Sequence, residues 1–251
     1  MKPEFKCYGE NSFTFILFQS LATDGGRLNS LLSRLKSFGD AKTLSPDLAQ
    51  GSQIWLFPNF GKSQGFGEPD ALVLADGHSF WFEVETSVDF QKRATATRNS
   101  LRQLLRFRLL ADALSRRSGV RTASADTHLA YSGPTIRNNG DARLGVLRKA
   151  GKPVVQALAD PVEQSVHAGK DHYVLLTEKK PDGISALGKD CLQDVISTDF
   201  EVVETWCDET GYPKPVRPSI DKFWYVYWNG DLNQHLEPDL LTSGGYVSIA
   251  S

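Results

Sequence analysis

The dipeptide Asp76-Gly77 stands between two apolar runs, Asp70 to Ala75 (DALVLA) and Ser79 to Thr86 (SFWFEVET). Both residues tolerate positive φ, and such a pair between apolar segments is among the strongest short-range signals of a β-hairpin. The hairpin restricts the fold further, because strand side chains alternate between faces. Phe80, Phe82 and Val84 point one way, while Trp81, Glu83 and Glu85 point the other. Counting outward from the turn sets Asp70 beside Glu83, within a residue or so. Glu83 and Glu85 share a face about 6–7 Å apart at the rise of a strand. Three acidic groups therefore converge on an otherwise apolar ribbon. Burying like charges together is costly unless something offsets the repulsion, and a hard divalent cation is the simplest candidate.

The remaining periodicities place elements around the hairpin. Asn11 to Ala22 reads as a helix capped by Asn11 or Ser12 and ended at Gly25-Gly26. A second helix, Leu28 to Phe38, sets Leu28, Leu31, Leu32 and Leu35 on one face. Gln53 to Pro58 (QIWLFP) is a short strand followed by a glycine-rich loop, Gly61 to Gly67. Gly61-Lys62-Ser63 is not a phosphate-binding P-loop, because that motif needs glycine where Leu56 stands. A long helix from about Thr97 to Arg117 buries Leu101, Leu104, Leu105, Leu109 and Leu114 and stops at Gly119. The segment Ala123 to Gly169 is less legible, with a short strand at His128 to Tyr131 and a helix near Asp160 to Ala168. His172 to Thr177 and Lys222 to Trp228 are strands, with a helix around Ser185 to Val195 between them. This order predicts a mixed α/β domain. The aromatic run Phe223 to Trp228 reads as sheet packing before it reads as a base-stacking platform.

Charge is distributed unevenly. From Lys92 to Arg121 the chain has nine basic residues and one acidic residue, Asp112, a net of +8. The total of -2 leaves -10 for the remainder. Arg98, Arg102 and Arg106 recur every four residues and form one stripe, suited to holding phosphate oxygens. Lys92 stands at the start of this basic region. Three cysteines, Cys7, Cys191 and Cys207, form no CxxC pair, which disfavours a disulfide framework or a zinc site. The five histidines share no metal-ligand spacing, and no GxSxG elbow occurs. Without a signal peptide or a run of about 18 apolar residues, the expectation is a soluble, cytoplasmic protein.

Glu68-Pro69-Asp70, the hairpin, then Glu83-Val84-Glu85 resembles the core of the PD-(D/E)XK nuclease superfamily. There an aspartate opens one strand, and a carboxylate, any residue and a lysine follow on the next. The resemblance covers roughly residues 10 to 110 and includes the leading helix and the basic helix after the motif. It implies a restriction-endonuclease-like mixed sheet flanked by helices in a single domain. The nuclease-like core would span about residues 10–180, with a C-terminal elaboration over about 181–251. It further implies Mg²⁺ (or Mn²⁺) at Asp70 and Glu83, and hydrolysis of DNA phosphodiester bonds, with RNA and a homodimer left open.

Glu85 occupies the family's lysine position, as in some restriction-endonuclease members, and would be a metal ligand or general base. Glu10, just before the first helix, is the candidate fourth carboxylate, and Glu68 is its substitute. Lys92 is the candidate for a relocated positive charge. Gln103 to Phe107 (QLLRF) resembles the Gln-x-x-x-Tyr helix of the helicase-associated nuclease branch, with Phe107 in place of the aromatic alcohol. The expected nucleic-acid contacts are thus Lys92, Arg98, Arg102, Gln103 and Arg106. The alternative is a catalytically inactive nucleic-acid-binding or regulatory protein on the same scaffold, motivated by Glu85.

Overall fold

A computed structural model of the chain describes residues 5–6, 9–23, 25–39, 44, 51–58, 60, 65–85, 94–116, 130–148, 153–177, 184–227 and 246–247. The elements run β1 (Phe5–Lys6), α1 (Gly9–Thr23), α2 (Gly25–Ser33), β2 (Lys36–Ser37), β3 (Gln53–Leu56), β4 (Ala71–Ala75) and β5 (His78–Glu85). They continue with α3 (Ala94–Ser115), β6 (Ala130–Ile136), β7 (Ala142–Arg148), α4 (Pro153–His167), β8 (Asp171–Thr177) and α5 (Ile184–Asp194). A wide π turn, Val195–Asp199, leads into α6 (Phe200–Thr210), and β9 (Phe223–Tyr227) and β10 (Tyr246–Val247) follow.

Six strands form one mixed sheet in the order β2-β9-β8-β5-β4-β3. Strands β3, β4 and β5 make an antiparallel meander, then β5, β8 and β9 run parallel, and β2 closes the edge antiparallel to β9. Parallel neighbours need a crossover. Between β5 and β8 it consists of α3, the β6–β7 hairpin and α4. Strand β9 comes from the part of the chain assigned above to an elaboration, yet it sits inside the sheet between β2 and β8. A separate pair, β1 with β10, joins the two ends of the described chain.

The alternation read from the sequence sorts the sheet's two faces. Phe80, Phe82 and Val84 meet Phe18, Leu21, Leu28 and Leu32 of α1 and α2, with Phe18 edge-on to Phe82 at 5.0 Å between ring centroids. Trp81, Tyr173, Leu175 and Phe223 on the opposite face pack against the leucines of α3 and the apolar side chains of α4 and α6. Trp81 lies between Phe60 and Phe107, at 6.0 and 6.4 Å. Aromatic groups buried so completely dominate core energetics. A strand sealed on both faces is what a sheet between two helical layers requires. The run Phe223–Tyr227 is part of this packing, with Phe223, Trp224, Val226 and Tyr227 all buried.

Several boundaries differ from the sequence reading. Gly25 and Gly26 open α2, which ends at Ser33, and Lys36–Ser37 is an edge strand and not a final helical turn. The middle segment holds a hairpin of two seven-residue strands, β6 with β7, where the periodicity suggests only a fragment. Pro134, Gly133 and Gly145 mask its strand pattern. The two glycines face each other across the ladder and leave room for the Phe66 ring. A Cβ on Gly145 would lie 2.5 Å from that ring. Gly145→Ala is therefore expected to cost about 1–3 kcal/mol through overpacking, measured by urea unfolding; an unchanged midpoint and slope would refute this account. Thr86, Lys92, Gly119 and His128 lie outside the described residues. Among the described residues no helix is long and apolar enough to cross a membrane.

Candidate functional site

The β4–β5 turn supplies the register on which the acidic site depends. Asp76 and Gly77 both have positive φ, 48° and 71°, the pair of left-handed residues that a twisted two-residue hairpin favours. Counting from that turn, Ala71 pairs with Phe82, so Asp70 continues the ladder opposite Glu83. Asp70 N–H donates to the Phe82 carbonyl at 3.0 Å, and Val84 N–H donates to Asp70 Oδ2 at 2.7 Å. The Asp70 side chain is thereby held over the strand that bears both glutamates.

Burial pushes the Asp70 carboxyl up to about 6, the Val84 N–H opposes the rise, and the nearby Glu85 charge adds to it. Glu83 and Glu85 are half-buried, with Glu85 Oε2 accepting from the Ser100 hydroxyl of α3 at 3.1 Å. Glu10 belongs to α1, but its side chain lies outside the described set, as does all of Lys92. Glu68 is exposed. Among the described residues no three carboxylate, imidazole or thiol side chains are gathered as a group that could hold a metal ion. Asp70 and Glu85 are directed instead toward the Val84 amide and the Ser100 hydroxyl. The chemistry of the donors still fits a hard cation, since Asp70, Glu83 and Glu85 offer only oxygen. A cation would also offset the burial of the Asp70 charge and the smaller repulsion from Glu85 that raise its pKa.

The basic helix is arranged differently from an open phosphate-binding stripe. Arg98 is ion-paired with Asp194 and Asp199. Arg102 is buried and clamps Asp199 with two bonds, Nε to Oδ2 at 2.5 Å and Nη2 to Oδ1 at 3.2 Å. Arg108 and Arg116 flank Asp112, and Arg108 also lies 3.8 Å from Asp171. The excess of base over acid in this stretch is thus answered by acids that mostly lie far along the chain. Gln103 accepts from Arg106 Nη1 through Oε1, and Phe107 is fully buried beneath Trp81.

Arg106 is the exception in the stripe. Its three hydrogen bonds go to neutral acceptors: the Ile136 carbonyl at 2.7 Å, Gln103 Oε1 at 2.8 Å and Asn138 Oδ1 at 2.5 Å. It lines a cavity of about 450 Å³ together with Arg137, Asn138, Asn139 and Arg143 of the β6–β7 hairpin. Gly65 and Gly67, just ahead of Asp70, also line the cavity. Sequence reasoning missed Arg137 and Arg143. Asn139-Gly140 is the turn signal that could have found them.

At the far end of β5, His78 Nδ1 and His172 Nε2 lie 2.8 Å apart, a pairing that sequence spacing did not suggest. Burial, with the neighbouring His78 and Lys222, drives the His172 pKa down to about 3. Both rings are consequently neutral near pH 7. Comparisons with protein-family models, curated proteins and solved structures found no match to this chain. What fold and site define together is a mixed α/β domain with a carboxylate site on its central hairpin and an arginine-lined cavity alongside.

Proposed function

We propose that the chain is a divalent-cation-dependent nuclease hydrolysing DNA phosphodiester bonds on a restriction-endonuclease-like fold. The observation that carries this reading is the β4–β5 register, with Asp70 over the strand bearing Glu83 and Glu85 and its pKa raised by burial and by Glu85. The mixed sheet flanked by helices supports it, because a sheet of that kind is what the sequence resemblance implies. Asp70 and Glu83 would hold Mg²⁺ or Mn²⁺, which supplies Lewis-acid charge stabilisation at a phosphoryl oxygen. Asp70, tied to the Val84 amide, presents a carboxylate whose ionisation controls cation binding. Glu85, where the family resemblance expects lysine, either completes the oxygen set or accepts the proton of the attacking water. Ser100 fixes its orientation.

The decisive experiment is Mg²⁺-dependent cleavage of plasmid DNA by the wild-type chain and by Asp70→Ala, with folding followed by circular dichroism. Cleavage that persists in a folded variant removes Asp70 from the mechanism. Cation binding must also depend on pH, because a protonated Asp70 is neutral and its proton competes with the cation. Mn²⁺ affinity measured by calorimetry is expected to rise about tenfold or more between pH 5 and pH 7. A flat profile would exclude Asp70 as a ligand. The second reading is a binding or regulatory protein that has lost catalysis, favoured by Glu85 in place of lysine. Mn²⁺ binding without cleavage of any DNA or RNA substrate would select it.

A further inference from the structure

The cavity beside the carboxylates is lined by charge that the fold does not consume. Among the described residues, Arg98, Arg102, Arg108 and Arg116 are engaged with Asp194, Asp199, Asp112 and Asp171. Arg106 has only neutral hydrogen-bond partners. Burial and the charges of Arg102 and Arg143 pull its pKa down to about 10, against the opposing pull of Glu83. The guanidinium group thus feels both neighbouring arginines and the opposing charges of Glu83 and Asp199. Arg143 Nε is buried with no hydrogen-bond partner in the described structure. Arg137 and Asn139 are exposed at the mouth of the hairpin turn.

The facing wall is equally specific. Gly65 has φ of 121° and lies so close to Arg143 that a Cβ would approach Nε to 2.8 Å. Its carbonyl accepts from Thr135 Oγ1 at 2.8 Å. Gly67, also at positive φ, lies against Gln103, where a Cβ would sit 1.7 Å from Nε2. The loop that enters Asp70 therefore forms part of the arginine cavity, and one short stretch of backbone couples the two.

We propose that Arg106, Arg137 and Arg143 form a phosphate pocket that holds one nucleotide of a single polynucleotide strand next to Asp70 and Glu83. Arginine presents planar paired donors that match phosphate oxygens. A cavity of this volume lies within the range of pockets that enclose a small ligand, and Asn138, whose Oδ1 accepts from Arg106, keeps its amide nitrogen for a sugar or base, while Asn139 is bonded to Asp141. Among the described residues the charge is local, since the ion-paired arginines of the helix leave no long basic track. That favours one strand held at one point over a duplex gripped along many phosphates. The pocket's place beside the carboxylates rests on the nuclease reading, whereas phosphate capture itself does not.

The test is fluorescence anisotropy of a labelled single-stranded oligonucleotide in EDTA, where cation-dependent cleavage is silent. Arg137→Gln/Arg143→Gln is expected to weaken binding at least tenfold. The logarithm of affinity should fall against log salt with a slope no steeper than about -1.5, for the one or two phosphates of the held nucleotide. Unchanged affinity in the arginine variant, or a slope of -6 or steeper, overturns the pocket. Arg137→Gln alone, at an exposed position, carries the test should the double variant unfold. Competition by a nucleoside 5′-monophosphate or by inorganic phosphate should be at least tenfold weaker than by unlabelled strand. Equal competition assigns the pocket to a free phosphate compound and overturns the strand. Binding lost in the arginine variant while the wild type never cleaves would sink the nuclease and keep the pocket; the reverse pattern would do the opposite.

Discussion

Asp70→Asn is expected to make the cation-free protein more stable while abolishing cleavage. Folding raises the Asp70 pKa from 3.8 to about 6, chiefly by burial. Between those values the folded chain binds more protons than the unfolded chain, so stability falls as pH rises through that window. Complete ionisation costs at most about 3 kcal/mol on this account. The amide cannot ionise and still offers an oxygen to Val84 N–H. In EDTA at pH 7.5 the variant should therefore gain about 1–3 kcal/mol, seen as a higher midpoint in urea. The gain should vanish near pH 4, where the wild-type carboxyl is protonated. Added Mn²⁺ should stabilise the wild type alone. Cleavage should fall about a thousandfold, the equivalent of several kcal/mol of lost transition-state stabilisation. A variant that is less stable than wild type in EDTA at pH 7.5 would show that Asp70 is structural. Opposite movements of stability and activity mark a carboxylate kept for chemistry.

The acidic hairpin was the most legible part of the chain because its causes are local. Two left-handed turn residues and a strict alternation determine register, and register alone sets Asp70 against Glu83. The leucine faces of α2 and α3 are legible for the same reason, since a buried stripe on a helix has its own period. The basic helix misleads because charge compensation is not local. Asp199 is nearly a hundred positions beyond Arg102, in a π turn with no sequence signature. A run of arginines without nearby acids looks like a binding surface until the fold brings Asp194, Asp199 and Asp171 to it. The β6–β7 hairpin fails for another reason. Gly133, Pro134 and Gly145 violate strand propensity to accommodate Phe66, so tertiary packing overrides the local pattern. The arginines of the cavity went unread together with that hairpin.

Asp199 is where that distant compensation can be measured. It is buried, bonded twice to the buried Arg102 and once to Arg98, and held by the π turn between α5 and α6. Removing one partner of a buried pair leaves the other charge desolvated without its counterion, which is far costlier than losing a surface bridge. Asp199→Ala should destabilise by about 3–5 kcal/mol in urea unfolding. Replacing the pair together, as Arg102→Met/Asp199→Leu, should recover most of that loss, because no stranded buried charge remains at this position. Adding salt should change the single variant's deficit little, since buried pairs are weakly screened. A deficit below about 1 kcal/mol would mean that solvent already reaches the pair. The consequence extends to the cavity. Arg102 also donates to the Asn138 carbonyl, two residues beyond the Ile136 carbonyl that Arg106 holds. Loosening Arg102 releases the hairpin turn that carries Arg137 and Asn138. Strand binding by Asp199→Ala, assayed well below its melting temperature, should weaken severalfold although Asp199 does not line the cavity. Full affinity in that variant would show that the ion-pair network and the pocket are independent, and that the arginines of α3 divide into two sets with no mechanical connection.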